Sequence, residues 1–524
     1  MPRPGTVGVG TRAANVSLRK SFRRSSWFHL PFPIGLATLA VLIALVASGL
    51  GSSAAATGGV VGSGVAVSGV HCGPGVRQVA WTQYAPLCVS AFHGSNGGAT
   101  APGVTGTTIT IAFRIPSDFA AVQAEVSGPS ATAEVHDYQV LVNYFNKQFE
   151  LYGRHVVLKV YNGQGQELEE MAQEGQAAAQ ADAQTEKDMG VFADPTAASV
   201  VFASALASRG IIGMSVPYTS NAIYHQFSPY LIGTPEWPSD ENWASATAAV
   251  VCQNMAGKKA IFAGDPAYKQ SKRIFGLTEI DQPGYSEGGT ALQADLESEC
   301  GLTVAKVAKY QYNFTDEAQQ AVSIVAEMKA AGVTTLIHAG DPFMFAQLTN
   351  AAKQQDWQPE WIGVDPTDTL AALLAAPSEM DNAFEVGPFG ETPGANPSGE
   401  VGHVYRLASG GAPPDTGSYE NGTALTGIYQ VLLQLFDGIQ AAGPRLTAQS
   451  WLKGEASIPT GSGAFGTWCS HQPYDPTCSF VVARWSSTQK NPNTGKAGAF
   501  ITCDGGRSYP DTRARMGSGQ LTGC

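Results

Sequence analysis

Four segments of the sequence place an Asp-Pro pair directly after a short apolar run. They are GVFADPTAAS at 190–199, KKAIFAGDPAY at 258–268, TTLIHAGDPFMF at 334–345 and EWIGVDPTDTL at 360–370. Aspartate accepts hydrogen bonds from the free N–H groups at a helix start, and proline suits the first helical position. Each segment therefore predicts a buried strand that ends at the aspartate, followed by a helix.

The four aspartates could also contact a ligand. Open α/β sheets place their ligands at the carboxyl ends of strands, where Asp194, Asp265, Asp341 and Asp365 are expected. Carboxylates favour cationic or hydrogen-bond-donating groups, whereas the N–H groups of helix starts favour anionic atoms. Capping and ligand contact are compatible, and the sequence leaves both roles open.

The sequence carries no recognisable catalytic signature. It has no G-x-S-x-G elbow, H-E-x-x-H motif, Walker loop or Rossmann glycine fingerprint. Its nine histidines include no i, i+4 pair, and His338 at a predicted strand end suits a structural role. We therefore predict a protein that is not an enzyme and that needs no cofactor and no metal.

Charge is distributed unevenly along the chain. The first 30 residues carry six basic side chains and no acidic one, so the remaining 25 basic and 43 acidic side chains give −18. This acidity argues against nucleic acid or anionic lipid as the main partner of the folded part.

The basic leader runs into seventeen uncharged residues, Ile34–Leu50, and then into small residues with Ala54 and Ala56 in an A-x-A arrangement. The pattern favours a cleaved export signal, with a mature start near Thr57, over a retained membrane anchor. Either outcome predicts an extracytoplasmic protein, secreted or anchored at the bacterial cell surface. Residues 57–103 are interpreted as a Gly/Ala-rich spacer and a small cysteine-bearing preface.

Eight cysteines fit an oxidising compartment. Their spacing suggests that neighbours pair, although eight cysteines permit 105 connectivities. The expected pairs are Cys72–Cys88, Cys252–Cys300, Cys469–Cys478 and Cys503–Cys524. A zinc site formed by His71, Cys72, Cys88 and His93 is the weaker alternative, since its spacing matches no standard zinc module.

Strands and helices alternate in two successive runs, which predicts an α/β protein with two doubly wound parallel sheets. The first run has predicted strands at 108–113, 155–163, 189–193 and 211–216, and the second has them at 259–263, 302–311, 333–338, 360–364 and from 383. The late helix 419–442 and strands 479–485 and 497–502 belong to neither run, so we expect a multi-crossover hinge. The crossovers are expected at 233–238, 387–393 and within 460–475.

Predicted boundaries follow from this arrangement. They are a leader at 1–56, the preface at 57–103, lobe 1 at 104–234 plus 390–465, lobe 2 at 235–389 plus 475–510, and a tail at 511–524.

From about residue 103 to 485 the chain resembles the extracytoplasmic solute-binding proteins of ABC importers, in the branched-chain amino acid and amide group. The resemblance rests on the order and spacing of GVTGTTITIAF, SVPYTSN, IFAGDPAY, IHAGDPF and IGVDPTD. It implies the type I periplasmic-binding-protein fold, a monomer that closes on a small ligand, and permease and ATPase subunits as partners.

The resemblance also implies binding residues. In lobe 1 these are Asp194, Thr196, Tyr218, Thr219 and Ser220, at the places where amino-acid binders hold the ligand carboxylate. In lobe 2 they are Tyr268, Asp365 as the partner of a ligand amine, and Phe343, with Asp265 and Asp341 as further candidates.

Asp194 departs from this pattern, because it would repel the carboxylate of an amino acid. Two like charges about 4 Å apart cost several kcal/mol at an effective dielectric of 20. Either Asp194 turns away to cap its helix, or the ligand is a different polar molecule, such as an amine or amide. The sequence also leaves open whether the protein feeds an importer or is a ligand-sensing receptor subunit that signals to a membrane partner.

Overall fold

A computed structural model of the chain describes residues 64–69, 71–73, 76–77, 79–125, 128–285, 287–363, 375–388, 399–417, 423–469, 474–490, 497–509 and 521–524. The predicted leader, Asp365 and residues 367–374 of the helix expected over 367–376 lie outside these residues.

Short strands precede the first sheet: β1 (Gly64–Val65), β2 (His71–Cys72), β3 (Val76–Arg77) and β4 (Val89–Ser90). The first sheet consists of β5 (Thr108–Ile115), β6 (His155–Asn162), β7 (Ala193–Asp194), β8 (Ile212–Met214) and β9 (Leu231–Ile232). Its spatial order is β6-β5-β7-β8-β9, and all its strands are parallel. This order is that of a doubly wound sheet, which places a ligand crevice at the carboxyl ends of its strands.

The second sheet repeats this order. It contains β10 (Phe275–Ile280), β11 (Lys306–Tyr310), β12 (Thr335–Ala339), β13 (Glu360–Gly363) and β14 (Ala383–Gly387). Later strands are β15 (Gly461–Gly463), β16 (Gly466–Trp468), β17 (Thr477–Ser479), β18 (Val481–Lys490) and β19 (Ala497–Thr502). The order β11-β10-β12-β13-β14 is parallel, and β18 and β19 extend it as antiparallel strands. The predicted fold class is confirmed.

The helices between the strands of the two sheets are α1 (Phe119–Glu125), α2 (Ala131–Gln148), α3 (Glu167–Met171), α4 (Gln176–Met189), α5 (Val200–Ala207), α6 (Asn221–Phe227), α7 (Asp240–Val250), α8 (Glu287–Cys300), α9 (Glu317–Ala330) and α10 (Pro342–Gln354). Later helices are α11 (Pro377–Met380), α12 (Glu400–Ser409), α13 (Thr423–Ala442) and α14 (Ala448–Glu455). A π-helical turn, Val251–Met255, continues α7, and Tyr268–Gln270 forms a 3₁₀ turn.

The prediction that residues 258–268 form a strand and a helix start is wrong. Residues 259–267 run through turns outside the sheet, and the strand of this region is β10, which follows them. The side chains of Arg273 and Glu360 fix the turn: Arg273 Nε lies 2.6 Å from Glu360 Oε2, and the N–H of Phe262 donates to Glu360 Oε1. A short apolar run bounded by glycine fits a buried turn as well as a strand, which the sequence pattern cannot distinguish.

Two other predicted elements differ in extent. The Glu/Ala/Gln-rich run 167–188 predicts one solvated helix. The structure divides it into α3 and α4, because Gln173 and Gly175 adopt left-handed backbone conformations with φ of 61° and 66°. The helix expected from Pro195 begins only at Val200, where the hydroxyl of Ser199 accepts the N–H of Phe202 at 3.0 Å. Ser199, not Asp194, is therefore the cap of α5.

Each sheet has its own buried core. The core of the first sheet contains Phe113, Phe145 and the apolar face of α13, and it also takes in Val79 and Tyr84 of the preface. The core of the second sheet contains Leu277 and Ile337, together with Leu521 of the tail. Preface and tail therefore pack into the lobes rather than forming separate units.

All four predicted disulfides are present. Their Cα–Cα distances are 6.1 Å for Cys72–Cys88, 5.6 Å for Cys252–Cys300, 5.8 Å for Cys469–Cys478 and 4.8 Å for Cys503–Cys524. Because Cys72 and Cys88 are bonded to each other, the alternative zinc site at these residues does not form.

The chain crosses between the lobes at three neighbouring places. The first crossover follows β9, where the N–H of Gly233 donates to Tyr474 O of the third crossover at 2.6 Å. Asp475 joins the same two segments, since its Oδ2 accepts the N–H of Ser239 at 2.7 Å. The second crossover leaves β14 at Pro388. The backbone of Pro388 packs closely against Gly466, since a Cβ added to Gly466 would lie 2.5 Å from the carbonyl oxygen of Pro388.

Candidate functional site: the cleft between the lobes

Loops at the carboxyl ends of the two sheets meet in a cleft. Tyr218, from the loop after β8, is buried in one cluster with Tyr285 and Tyr312, which follow β10 and β11. Its ring also packs edge-on against Trp237 of the first crossover, with centroids 5.6 Å apart. The described structure therefore has the lobes in contact across an aromatic junction.

Polar contacts accompany this junction. Gln282, after β10, donates from Nε2 to Ala172 O at 3.1 Å, and Gln173 donates to Pro283 O at 2.5 Å. The hydroxyl of Tyr312 lies 3.6 Å from the sulfur of Met171. The break between α3 and α4 is thus the part of lobe 1 that reaches the second lobe.

Asp194 and Thr196 are paired with each other. Oδ1 of Asp194 accepts both the N–H and the hydroxyl of Thr196 at 2.6 Å, while Oδ2 is buried without a hydrogen-bond partner among the described residues. Burial raises the pKa of Asp194 and raises that of the neighbouring Glu186 well above its ordinary value. The nearby carboxyl group of Asp194 adds to the rise in the pKa of Glu186, so Glu186 is the member of the pair that holds a proton more readily.

The loop after β8 contributes the predicted residues Tyr218, Thr219 and Ser220. Tyr218 has a positive φ of 52°, which turns the chain at the cleft. The hydroxyl of Thr219 is used within the loop, where it donates to Pro217 O at 3.2 Å. Ser220 is fully buried, and its hydroxyl has no hydrogen-bond partner among the described residues. Of this group, Ser220 keeps a polar atom available for a ligand.

Asp341 lies at the carboxyl end of β12, but its oxygens are occupied. Oδ1 accepts the N–H groups of Phe343 and Met344 at 2.9 Å, and Oδ2 accepts the hydroxyl of Tyr310 at 2.6 Å. His338 bonds Asp341 O through Nε2 at 2.8 Å, and burial lowers its pKa to about 4. Asp341 therefore caps α10, and His338 is a neutral structural residue as predicted.

Phe343 remains at the cleft. Its ring packs edge-on against that of Phe314, after β11, with centroids 4.7 Å apart. It extends the aromatic surface of lobe 2.

Asp265 and Tyr268 do not join the other predicted residues. The N–H groups of Gly264 and Asp265 donate to Gln358 O, which precedes β13, so this turn lies at the amino ends of the parallel strands. Oδ1 of Asp265 accepts the N–H of Ala267 at 2.7 Å. Since ligands of such sheets bind at the opposite edge, the structure separates these two residues from the cleft.

Acidic side chains surround Arg114 beside the carboxyl ends of β5 and β6, and this cluster is the acidic wall of lobe 1. Arg114 is held by Glu170, with Nη1 at 2.9 Å from Oε2, and by Asp182, with Nε at 2.9 Å from Oδ2. Burial raises the pKa of Glu134, at the start of α2, to about 8, and that of Glu167, at the start of α3, to about 7. The guanidinium group of Arg114 therefore has two carboxylate partners. The acidic wall contains more carboxyl groups than this one positive charge can balance.

A cavity of about 750 Å³ adjoins this wall at the carboxyl ends of β5 and β6. Its lining is uncharged and includes Phe119 and Ala120 of α1, Ser130 before α2, and Asn162. The volume lies within the range of small-molecule sites. Asp118, between two lining residues, accepts the N–H of Glu167 at 2.8 Å, which places the start of α3 beside the cavity.

Sequence reasoning missed several residues of the cleft. Tyr285 could not be identified as a residue of the cleft because β10, the strand before it, was not predicted. Trp237 lies in a segment that was interpreted only as a crossover. Tyr312 had a usable signal, since it lies two residues beyond Tyr310, the end of a correctly predicted strand.

None of the helices that the structure describes is long and apolar enough to cross a membrane. In the same residues, no group of three or more His, Cys, Asp or Glu side chains is placed to hold a metal ion.

Comparison with known proteins shows similarity in structure but not in sequence. No protein-family model matches the chain, and no curated protein matches it. An extracellular ligand-binding receptor from Verminephrobacter eiseniae is similar over 72% of this chain and 98% of its own, at 11% identity and a TM-score of 0.52.

Two other solved structures are similar to this chain over comparable lengths. A fatty acid ABC transporter substrate-binding protein from Thermomonospora curvata is similar over 78% of this chain and 94% of its own, at 15% identity and a TM-score of 0.51. A type 1 periplasmic binding protein from Bordetella pertussis is similar over 72% of this chain and 96% of its own, at 14% identity and a TM-score of 0.51. Two doubly wound lobes, three crossovers and these neighbours together establish that the chain has the type I periplasmic-binding-protein fold.

Proposed function

We propose that this protein binds a small solute in the cleft between its lobes and delivers it to an ABC importer. The solute is an amine, an amide or an amino acid derivative that presents hydrogen-bond donors or a positive charge to lobe 1. Binding without catalysis accounts for a cleft of aromatic rings and carboxyl groups. Export of the mature chain is part of the proposal.

The observation that carries the proposal is the acidic wall of lobe 1. Arg114 is already bound by Glu170 and Asp182, so it has little capacity left for a ligand carboxylate. Glu134 and Glu167 stand at helix starts beside the cavity, and the buried Asp194 lies at the end of β7. A ligand ammonium would replace the protons that these carboxyl groups hold, whereas a ligand carboxylate would find no free positive charge among them.

The uncharged cavity indicates a second property of the solute. Its volume and its lining by Phe119, Ala120 and neighbouring prolines suit an apolar group attached to the donor group. A fatty acid, the ligand class named for the Thermomonospora curvata protein, could fill the cavity but would place its carboxylate near the acids. We therefore favour a cationic or neutral head group.

A sensing role is the alternative. The same cleft could report its ligand to a membrane partner rather than to a permease, since both functions need only closure of the lobes. Genes for a permease and an ATPase beside this one would favour import, and a kinase or regulator gene would favour sensing.

The proposal is tested by a thermal-shift screen of the folded chain with amines, amides, amino acids, fatty acids and sugars. A ligand at 100 times its dissociation constant adds about 2.7 kcal/mol of stability. We expect the stabilising compounds to be cationic or amide-bearing. Stabilisation by fatty acids or free amino acids alone would contradict the proposed ligand class.

Variants locate the site. Glu134→Gln and Glu167→Gln should each weaken a cationic ligand about tenfold, which corresponds to about 1.4 kcal/mol. Glu169→Gln is the matched control, because Glu169 lies on the same short helix as Glu167 and is exposed. Equal affinities for all three variants would place the ligand elsewhere.

A further inference from the structure

A small cavity lies in lobe 1 beside the third crossover. It has a volume of about 20 Å³, and α13, α14 and the residues Trp468, Cys469 and Pro476 contribute its walls. Polar side chains enter it from both helices: Gln434 and Asp437 from α13, and Glu455 from the end of α14. Such a volume is enough for one water-sized occupant.

Four oxygen atoms around this cavity have no hydrogen-bond partner among the described residues. They are Oδ1 and Oδ2 of Asp437, Oε2 of Glu455 and Oε1 of Gln434. The three side chains are fully or almost fully buried, with exposed fractions of 0% for Asp437, 1% for Gln434 and 6% for Glu455. A buried oxygen without a donor costs about 1–3 kcal/mol, and more when it is charged.

The positions of these side chains are fixed by their neighbours. Nε2 of Gln434 donates to Gly233 O at 2.9 Å and to Oε1 of Glu455 at 2.5 Å, which turns Oε1 of Gln434 and Oε2 of Glu455 away from these bonds. α13 and α14 are held close together, since the indole of Trp451 donates to Leu435 O at 2.9 Å. The cavity therefore cannot close by a simple movement of side chains.

The charged groups around Asp437 favour a positively charged occupant of the cavity. The charged neighbours of Asp437 are Glu400 and Glu455, which are both acids. Asp437 also lies in the second half of α13, where the helix dipole gives no stabilisation to an anion. The occupant must supply positive charge or hydrogen-bond donors to four acceptor atoms.

We propose that the cavity formed by Gln434, Asp437 and Glu455 binds a hard divalent cation of the calcium class. Carboxylate and amide oxygens are the ligands that Ca²⁺ prefers, and two carboxylates balance its charge. Water would complete its coordination. Ca²⁺ fits better than Mg²⁺, because Mg²⁺ demands near-octahedral geometry and seldom binds in dedicated protein cages.

The site would stabilise the hinge rather than contact the solute. Gln434 is bonded to Gly233 of the first crossover, and the cavity wall includes Cys469 and Pro476 of the third. An ion held by α13 and α14 would therefore fix the lobe 1 ends of two crossovers. This role is independent of the proposed solute, so failure of either proposal leaves the other standing.

Terbium luminescence tests the site directly in the folded chain. The indole of Trp468 lines the cavity, so excitation of tryptophan should sensitise emission from bound Tb³⁺, and Ca²⁺ should displace it. In a separate measurement, Ca²⁺ at 100 times its dissociation constant should raise the Tm of chelator-treated protein by roughly 2–5 °C. A wild-type protein with neither response would overturn the proposal and leave protons or water as the occupants.

Isosteric variants assign any response to this cavity. Asp437→Asn and Glu455→Gln should each weaken Tb³⁺ and Ca²⁺ binding at least tenfold while a cooperative thermal transition is retained. Glu297→Gln, at an exposed glutamate of lobe 2, should bind the ions as the wild type does. A signal unchanged in Asp437→Asn and Glu455→Gln would show that the ion binds elsewhere and would refute the assignment.

Discussion

The hydroxyl of Tyr310 donates to Oδ2 of Asp341 across 2.6 Å, and the same hydroxyl oxygen accepts the N–H of Asp341 at 3.0 Å. This reciprocal pair joins the ends of β11 and β12 and occupies the carboxylate that the sequence offered as a ligand contact. Asp341 therefore positions the second-lobe edge of the cleft, and both of its carboxylate oxygens already accept hydrogen bonds.

Replacing Tyr310 with phenylalanine should destabilise the protein by about 1–3 kcal/mol. The substitution leaves a buried carboxylate oxygen and a backbone N–H without partners, which costs more than the bond itself contributes. Chemical unfolding should show a lower midpoint at an unchanged slope. Tyr144→Phe is the control, because Tyr144 is only half-buried and its contacts are with the rings of Trp81 and Phe145.

Asp341 also shows how far the sequence predicts this protein. The order of strands and helices, the two doubly wound sheets and all four cysteine pairs follow from periodicity, turn residues and spacing. The prediction that a strand ends at the aspartate of an Asp-Pro pair was right for Asp341, which follows β12. It was wrong at Asp265, where Arg273 and Glu360 hold the same local pattern in a turn. Only long-range contacts decide between those outcomes.

The candidate site was less predictable than the fold. Ser220 and Tyr218 were predicted and lie at the cleft, but the partners that determine their availability come from distant segments. Trp237 and Tyr285 approach Tyr218 only after the lobes have formed. Likewise, no local signal shows that Arg114 is neutralised by Glu170 and Asp182, 56 and 68 residues away.

The stability of the protein should fall as the pH rises, with Glu317 as a main contributor. Burial and the facing Asp341 raise the pKa of Glu317 to about 9, with the hydroxyls of Tyr310 and Tyr312 also nearby. The folded protein therefore holds a proton that the unfolded chain releases above its ordinary pKa of 4.5. Stability is retained below pH 4.5 and lost between pH 4.5 and 9, at up to about 1.4 kcal/mol per pH unit.

Glu317→Gln removes this proton equilibrium. Its unfolding free energy should depend less on pH between 5 and 9, so the variant should be more stable than the wild type at pH 9. Glu327→Gln is the matched control on α9, because Glu327 is exposed and pairs with Lys306 at 2.7 Å. Identical pH slopes for Glu317→Gln and wild type would show that Glu317 titrates normally.

Gly165→Ala should disrupt the buried ion pair of lobe 1. A Cβ at this position would lie 2.1 Å from Nη2 of Arg114 and 2.2 Å from Oε1 of Glu170, closer than any real contact. Separating this buried pair leaves the Glu170 carboxylate without its cation and Arg114 with Asp182 alone, so we expect a loss of about 3–5 kcal/mol. Gly73→Ala, where no atom lies within 4 Å of the added Cβ, should leave the unfolding midpoint unchanged.

Removing the Cys252–Cys300 disulfide should lower stability by about 2–4 kcal/mol, because the bond closes a loop with a sequence separation of 48 and so restricts the unfolded chain. The bond joins the turn after α7 to the end of α8. The double variant Cys252→Ala, Cys300→Ala avoids free thiols, and its unfolding should be compared with that of the wild type under oxidising conditions. Peptide mapping that finds either thiol free in the wild type would contradict the pairing.

Ser220→Ala should separate ligand binding from stability. The Ser220 hydroxyl is buried, lies at the start of α6 beside the cleft, and makes no capping bond to that helix. Since the hydroxyl has no partner in the described structure, its removal should leave the unfolding free energy of the ligand-free protein unchanged or slightly higher. If the solute supplies the missing bond, its affinity should fall about three- to tenfold, which corresponds to roughly 0.7–1.4 kcal/mol.

Ser199→Ala provides the contrasting case. The hydroxyl of Ser199 caps α5 by accepting the N–H of Phe202 at 3.0 Å and donates to Glu170 at 2.9 Å, so its loss should cost about 0.5–2 kcal/mol of stability. Ser199 is occupied within lobe 1, and its removal should therefore change stability more than it changes solute affinity. The opposite pattern, with Ser220→Ala destabilised and its affinity unchanged, would show that the Ser220 hydroxyl is a structural group and that the solute binds at another part of the cleft.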